Sequence, residues 1–154
     1  MLERLYIKNV ALIEEASVEF DEKLNVLSGE TGSGKSVILD SINFVLGSKA
    51  DKTMIRFGTD EAFVKAEFSV EENSAVCSIL SEFDIECDTE IIISRRMTRE
   101  GKGGIKINGS AVTAAMLKKV ANHLVDVHGQ SEHFFLLSEN NQLSVVDALC
   151  GEKQ

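Results

Sequence analysis

The chain has 154 residues, of which 44% are hydrophobic and 27% are charged. That length suits one ordinary domain, and the composition is typical of a soluble globular protein and excludes wholesale disorder. No apolar run approaches the roughly 20 residues that a membrane span requires, and the first residues carry no secretory-signal pattern. The net charge of −9 disfavours a surface that coats nucleic acid, because phosphate binding relies on clustered lysine and arginine.

One local exception to the acidic balance lies between residues 95 and 106. Five basic residues fall within this segment, opposed only by Glu100: Arg95, Arg96, Arg99, Lys102 and Lys106. If the chain contacts nucleic acid directly, the contact is expected there, but the pattern favours a solvated hairpin.

The cysteines carry a second compositional signal. Cys77, Cys87 and Cys150 form no C-x-x-C pair, and their odd number leaves one unpaired. This pattern favours reduced thiols in a cytosol, where they serve as small buried apolar residues.

Hydrophobic patterns in the first half predict strands followed by a helix. Alternation predicts an antiparallel pair over residues 5–7 and 16–20. The apolar run Leu24 to Leu27 is typical of a buried central strand. A helix is then predicted from Lys35 to Leu46, ended by Gly47. Its inward face is predicted to consist of Ile38, Leu39, Ile42, Val45 and Leu46.

The second half predicts further strands and helices. In chain order they are a strand through Val64, Ala66, Phe68 and Val70; a short helix capped by Ser74; strands Ile91 to Met97 and Ile105 to Ile107; a tight turn at Asn108-Gly109; a helix capped by Thr113; and a last helix from about Glu139 to Leu149. This mixed order suits a three-layer α/β domain with an antiparallel part.

The strongest chemical signal is a complete G-x-x-x-x-G-K-[ST] phosphate-loop motif. It consists of Gly29, Glu30, Thr31, Gly32, Ser33, Gly34, Lys35 and Ser36. The glycines let successive backbone N–H groups converge on phosphate oxygens, helped by the positive end of the following helix. Lys35 supplies a point charge to the β- and γ-phosphates, and the Ser36 hydroxyl reaches Mg²⁺. The motif therefore predicts nucleotide binding.

Two other classes of nucleotide-binding enzyme, small GTPases and small-molecule kinases, fit the rest of the sequence less well. Asp126-Val127-His128-Gly129-Gln130 resembles the metal-binding segment of small GTPases, but the residues before it have helical periodicity and no guanine-reading N-K-x-D occurs. A small-molecule kinase is disfavoured because the chain has no arginine-rich lid.

Several motifs in order resemble the bacterial RecN family of DNA repair proteins, in the SMC-like branch of the ABC ATPases. The resemblance covers essentially the whole chain. It rests on Met1-Leu2 through Asn9 to Glu14, on Leu24 to Leu27 running into the phosphate loop, on Met54 to Gly58, on Ile107-Asn108-Gly109 and on Val125 to Gln130. Ser33 and Ser131 depart from the residues usual in the family, and only Ser131 affects the expected role of its loop.

The resemblance implies a P-loop NTPase fold: an incomplete ABC/SMC-like head lobe over residues 1–154, with a mixed sheet, an antiparallel part and flanking helices. It also implies that Gln130 ligates Mg²⁺ and positions the attacking water, for which an amide oxygen is a suitable ligand. Arg56 matches an arginine that approaches nucleotide or DNA in such heads. The implied reaction is ATP hydrolysis, with ATP and Mg²⁺ as cofactors and Lys35 and Gln130 as catalytic residues.

The same resemblance also implies the binding partners of the chain. The family continues into a coiled coil and a second half of the head, and two heads pair around ATP. The implied partners are therefore a second head and, through the full-length protein, DNA, with no membrane, in the bacterial cytoplasm at the nucleoid. The alternatives are the head of another SMC-like or RecF-like repair ATPase and a nucleotide-dependent interaction module that does not hydrolyse.

Overall fold

The fold is known from a computed structural model that describes residues 1–29, 34–72 and 74–125. Its strands are β1 (Leu2–Val10), β2 (Ile13–Glu19), β3 (Glu61–Ser69), β4 (Glu90–Thr98), β5 (Gly103–Ile107) and β6 (Ser110–Ala111). Its helices are α1 (Lys35–Val45), α2 (Ala75–Ser81) and α3 (Ala114–Ala121), with a 3₁₀ turn at Lys52–Met54. No helix in these ranges is long and apolar enough to cross a membrane.

The six strands form one sheet in the order β2-β1-β3-β4-β5-β6, and every neighbouring pair is antiparallel. The register aligns apolar side chains on one face: Leu5 opposes Ala66, which opposes Ile93, which opposes Ile107. All four residues are fully buried. Since side chains alternate between faces along a strand, this alignment gives the sheet one continuous apolar face.

All three helices add side chains to the same core cluster, namely Phe44 and Val45 from α1, Val76, Ile79 and Leu80 from α2, and Leu117 and Val120 from α3. The opposite face of the sheet is charged: Arg4 pairs with Glu67 at 3.1 Å and with Glu19 at 3.2 Å, and Lys65 pairs with Glu67 at 2.7 Å. Helices therefore lie on one face of the sheet in the ranges that the structure describes. The third layer predicted from the element order is not found there.

The predicted helix caps and the tight turn are confirmed. Ser74 accepts a hydrogen bond from the backbone N–H of Cys77, and Thr113 accepts one from Met116. Each bond satisfies one of the N–H groups that a helix leaves unpaired at its start. Asn108 and Gly109 have φ angles of 46° and 82°, the paired left-handed geometry that matches the twist of two antiparallel strands. These local signals therefore placed α2, α3 and the β5–β6 hairpin correctly.

The prediction of a buried strand at Leu24 to Leu27 is wrong in this structure. The segment is not a strand, and Leu24 and Val26 are 85% and 75% exposed. A strand needs a neighbouring backbone to bond, and none of the six strands pairs with this segment. Instead the Asn25 side chain accepts from the backbone N–H of Asp21 and donates to its carbonyl, which closes a local loop.

The inward face of α1 also differs from the prediction. Leu39 is 50% exposed, whereas Ser41, Phe44 and Val45 are buried. Ser41 can be buried because its hydroxyl donates to the carbonyl of Val37 at 2.6 Å. Val45 is in the core, and Ile38, Ile42 and Leu46 are partly buried and pack against it, so the predicted inward face is confirmed except at Leu39.

The expectation of reduced thiols is wrong for two of the three cysteines in this structure. Cys77 and Cys87 form a disulfide, with their Cα atoms 5.2 Å apart. Ten positions separate them along the chain, so sequence spacing alone did not indicate the pair. Cys150 lies outside the described residues.

Candidate nucleotide-binding site

The site is built around the first turn of α1. Gly34 is the N-cap of the helix, with φ 98° and ψ 0°, a left-handed conformation that glycine adopts without strain. Among the described residues, no side chain accepts a hydrogen bond from the N–H groups of the first turn as a cap. The first N–H groups of a helix have no partner within it and lie at its positive end. They therefore offer hydrogen-bond donors at the end of α1 that begins at Gly34. α1 also has no acidic residue in its first turn that would neutralise this end.

The Lys35 ammonium group donates a hydrogen bond to the carbonyl of Gly29. The first and seventh residues of the motif are thereby brought together. Ser36, the next residue, is exposed. An ammonium group, an exposed hydroxyl and helix-terminal N–H groups within one turn suit a phosphate group and its Mg²⁺. The residues present thus fit a Mg-nucleotide.

The β1–β2 turn lies against this loop. A Cβ atom added to Gly34 would lie 3.6 Å from Cδ1 of Leu12, in ordinary van der Waals contact. The turn is held by a 2.6 Å hydrogen bond from the Ala11 N–H to the Met54 carbonyl. A second hydrogen bond holds the same turn: the Arg56 guanidinium donates to the Leu12 carbonyl at 2.6 Å. Arg56 therefore holds, through the Leu12 carbonyl, a turn that lies close to Gly34.

Five of the predicted site residues lie outside the described residues. They are Glu30, Thr31, Gly32, Ser33 and Gln130. The structure thus places Gly29, Gly34, Lys35, Ser36 and Arg56 around the start of α1, and leaves the proposed roles of the other five as predictions.

The arginines of the basic cluster at residues 95–106 have partners within the fold, whereas Lys102 is exposed and, in the part of the chain that the structure describes, pairs only with the neighbouring Glu100 at 2.9 Å. The expectation of a nucleic-acid contact there stays a prediction. Arg95 donates to the carbonyls of Phe44 and Ser48 at 2.6 and 2.7 Å, and its guanidinium lies 4.4 Å from the centre of the Phe44 ring. It thereby adds a donor at the end of α1, where the Phe44 carbonyl also accepts from the Gly47 N–H at 3.1 Å, and a donor to the Ser48 carbonyl just beyond the helix. Burial lowers the pKa of Arg95, consistent with a structural position rather than a solvated one.

The other arginines of the cluster also have partners within the fold. Arg99 donates to the carbonyls of Thr59 and Arg56 at 2.6 and 2.9 Å, and Arg96 pairs with Glu61 at 3.5 Å. Sequence reasoning missed these roles because each acceptor lies about 40 positions away along the chain. No local pattern connects such donors to the carbonyls they cap.

Replacing Arg95 tests this structural role. We expect Arg95→Ala to lower the free energy of unfolding by about 2–4 kcal/mol, because it removes the guanidinium donor from the Ser48 carbonyl, one of two donors from the Phe44 carbonyl, and the stacked guanidinium itself. Urea denaturation measures this loss. Arg96→Ala, at a neighbouring and more exposed position, is the matched control and should cost less than about 1 kcal/mol. Equal losses for the two variants would show that Arg95 does not anchor α1.

Comparison with known proteins agrees with the geometry. Residues 1–128 match the family model of the RecF/RecN/SMC N-terminal domain. The chain is 37% identical over 152 residues to the DNA repair protein RecN of Bacillus subtilis, covering 98% of this chain and 26% of that protein. It is 34% identical over 151 residues to RecN of Vibrio cholerae, covering 98% and 27%. The chain thus spans about a quarter of the length of these curated relatives.

Solved structures share the fold. An SMC ATPase chain from work on ATP-driven dimerisation and DNA-stimulated activation superposes with a TM-score of 0.70 at 21% identity, covering 96% of this chain and 98% of that one. The SMC head domain of Thermotoga maritima superposes with a TM-score of 0.61 at 26% identity, covering 77% and 41%. These structures show a partial P-loop ATPase head lobe. Since the family model matches far more than half of the chain, the chain belongs to the RecF/RecN/SMC N-terminal domain family.

Proposed function

We propose that the chain is the ATP-binding N-terminal part of an ATPase head of the RecN type, which acts in DNA double-strand-break repair and recombination. The observation that carries this proposal is the phosphate-loop motif, with Gly34 and Lys35 at the start of α1. The RecN relatives and the SMC-like fold support an ATPase in DNA repair at the level of the family.

The proposed site binds the nucleotide through its phosphates. Backbone N–H groups of residues 29–34 surround the phosphate oxygens, and the Lys35 ammonium moves from the Gly29 carbonyl to the β- and γ-phosphates. Ser36 and Gln130 would hold Mg²⁺, which neutralises phosphate charge when bound. Gln130 orients the attacking water. The reaction is phosphoryl transfer to water, so the chain contributes positioning and charge stabilisation.

Arg56 has two states in this proposal. In one, its guanidinium stays on the Leu12 carbonyl and holds the β1–β2 turn against Gly34. In the other, it leaves that carbonyl and approaches the nucleotide, as the resemblance implies. Exchange of one carbonyl acceptor for a phosphate oxygen is favourable for a guanidinium, since hydrogen bonds between two charged groups are the stronger ones.

Partners of the whole protein follow from the same relatives. The solved SMC ATPase chain comes from work on ATP-driven dimerisation and DNA-stimulated activation. We extend both features to this chain: two heads pair around ATP, hydrolysis reopens them, and DNA binds through the full-length protein. The acidic balance of −9 favours DNA contact outside these residues. The proposed location is the bacterial cytoplasm, at the nucleoid.

One structural neighbour keeps a second candidate open. The recombination mediator protein RecF with bound ATP superposes with a TM-score of 0.56 at 20% identity, covering 73% of this chain and 27% of that one. A RecF-like head would share the phosphate loop and differ in what lies beyond these residues. Reading the gene downstream of residue 154 separates the two: long heptad repeats favour the RecN type, and their absence favours RecF. A stop codon there favours a nucleotide-dependent interaction module.

Hydrolysis by the 154-residue chain tests the proposal. We expect turnover of Mg-ATP no faster than that of the Lys35→Ala variant, because the family places the remaining catalytic groups in the part of the relatives that this chain does not span. Phosphate release, measured with both proteins at the same concentration, gives the answer. Turnover well above that of Lys35→Ala would contradict the assignment to one part of a divided head.

A further inference from the structure

The disulfide between Cys77 and Cys87 is not part of the nucleotide site. Cys77 lies in α2 and is only 7% exposed, while Cys87 is half-buried in the connection between α2 and β4. A compartment that supports DNA repair in bacteria keeps protein thiols reduced unless an oxidant acts on them. Formation of this disulfide in such a compartment therefore requires an oxidant.

The two sulfur atoms are brought together by contacts that do not depend on the bond. After α2 the chain reverses at Asp84, whose φ is 56°, and the N–H of Ile85 donates to the Leu80 carbonyl at 3.0 Å. Leu80 and Ile85 are buried in the core. The Asn108 side chain then fixes the next residue, because its amide donates to the Glu86 carbonyl at 2.9 Å.

Asn108 also fastens this connection to the sheet. Its side-chain oxygen accepts from the N–H of Ile92, within β4, at 2.8 Å. We expect these contacts to keep the path of the connection between α2 and β4 when the thiols are reduced. Two thiols on residues whose Cα atoms lie 5.2 Å apart react with each other at high effective concentration. A disulfide between them can therefore open and close without refolding of the chain.

The negative charge around Cys87 affects which oxidants and thiols can approach its sulfur. A cleft of about 780 Å³ contains Cys87 and is lined by four acidic residues, Asp84, Glu86, Asp88 and Glu90. All four are exposed. Their charge repels anionic thiols such as glutathione and does not repel a neutral hydroperoxide, but it also disfavours the Cys87 thiolate, so oxidation by a hydroperoxide is slow. Cys87, the more exposed of the pair, is the sulfur that such an oxidant meets first.

We propose that Cys77 and Cys87 are a reversible oxidation site, closed by a neutral hydroperoxide and reopened by a neutral dithiol. The Cys87 thiolate attacks one peroxide oxygen, the O–O bond breaks, and the leaving hydroxide takes up a proton to become water, which leaves a sulfenic acid on Cys87. The Cys77 sulfur attacks that sulfur, the S–O bond breaks, and the second hydroxide leaves as water with the Cys77 proton. Two thiols and one hydrogen peroxide thus give one disulfide and two waters, with two electrons passing from sulfur to oxygen.

Oxidation fixes the segment that connects α2 to the sheet, and that segment also contacts α3. Glu82, at the end of α2, pairs with Lys119 of α3 at 2.5 Å, and the Lys119 ammonium lies 5.6 Å from the centre of the Phe83 ring. Both Glu82 and Phe83 lie inside the loop that the disulfide closes. Closing the loop lowers the entropy of the unfolded chain and restrains the α2–α3 contact in the folded one.

The experiment compares the 154-residue chain after treatment with hydrogen peroxide and after treatment with dithiothreitol. Both cysteines fall in one tryptic peptide, residues 66–95, and Cys150 falls in another. We expect the oxidised peptide to be 2 Da lighter and blocked to alkylation, and dithiothreitol to restore both thiols. We also expect reduction to lower Tm by about 5–10 °C, the shift for closing a loop of this length in a chain of this size.

Variants separate this site from other oxidation. Cys87→Ser, at the half-buried position, should abolish the redox dependence of Tm, and Cys150→Ser should preserve it. If Cys87→Ser fails to fold, Cys87→Ala serves the same purpose. Alkylation of both thiols in the 66–95 peptide after peroxide, pairing with Cys150, or an unchanged Tm on reduction would each overturn the proposal. None of these measurements depends on nucleotide binding, so failure here leaves the proposed ATPase function untouched.

Discussion

Replacing Phe68 with alanine is expected to lower the free energy of unfolding by about 3–5 kcal/mol. Phe68 is the largest fully buried side chain and lies on β3, where it faces Leu2 of β1 on one side and Ile91 of β4 on the other. Truncation removes its contacts and leaves a cavity that two hydrogen-bonded neighbouring strands cannot close. Since a domain is stable by only about 5–15 kcal/mol, this loss is a large share of the total.

Phe57→Ala is the matched control, because it makes the same chemical change at a side chain that is 96% exposed. Surface substitutions away from special features usually change stability by less than about 0.5 kcal/mol. Urea denaturation of both variants, with the slope compared to that of the wild type, measures the difference. Similar losses for Phe68→Ala and Phe57→Ala would mean that β3 does not lie at the centre of the core.

Replacing Lys35 with alanine is expected to weaken binding of Mg-ATP by about 10–150-fold, which corresponds to about 1.5–3 kcal/mol for a lost hydrogen bond to a charged group. The Lys35 ammonium donates to the Gly29 carbonyl, and a phosphate oxygen is a stronger acceptor for it than a carbonyl. The variant keeps the helix, since alanine favours α1 as much as lysine does.

Lys118→Ala controls for the general loss of one positive charge. Lys118 is exposed on α3, away from the phosphate loop, and its removal should leave the dissociation constant within about twofold of the wild type. Isothermal titration of the three proteins with Mg-ATP at one salt concentration makes the comparison. Equal affinities of Lys35→Ala and wild type would show that the motif does not bind the nucleotide through its lysine.

Local patterns predicted much of the fold. Alternation at Leu5, Ile7, Val64, Ala66 and Phe68 was sufficient because one face of an antiparallel sheet is buried and the other is solvated. The caps at Ser74 and Thr113 were visible for a similar reason, since a cap bonds an N–H only three positions further along the chain. Where the partner is near in sequence, the pattern is sufficient.

Non-local partners explain what the sequence did not predict. The apolar run at Leu24 to Leu27 has the composition of a buried strand, but a strand forms only where another backbone offers hydrogen bonds. The sequence placed Arg95 in a basic cluster because its acceptors, the carbonyls of Phe44 and Ser48, lie about 50 positions earlier in the chain, at the end of α1 and just beyond it. The disulfide was missed because its two cysteines meet only after the chain reverses at Asp84.

The candidate site was predicted by a local pattern only where its residues are neighbours in sequence. Gly34, Lys35 and Ser36 belong to a contiguous motif, so their grouping is set by the chain itself. Leu12 and its contact with Gly34 were not predicted, since they depend on the turn between β1 and β2. The hydrogen bond from Arg56 to the Leu12 carbonyl likewise spans 44 positions.

Calorimetric titration of the chain with Mg-ATP and with Mg-GTP tests the central claim most directly, namely that these residues form an ATP-binding lobe. We predict saturable binding of Mg-ATP and weaker binding of Mg-GTP. If neither nucleotide binds, the titration is repeated with the downstream part of the gene product supplied, so that a divided site can assemble. Absence of Mg-ATP binding in both settings, or a preference for Mg-GTP, would contradict the account.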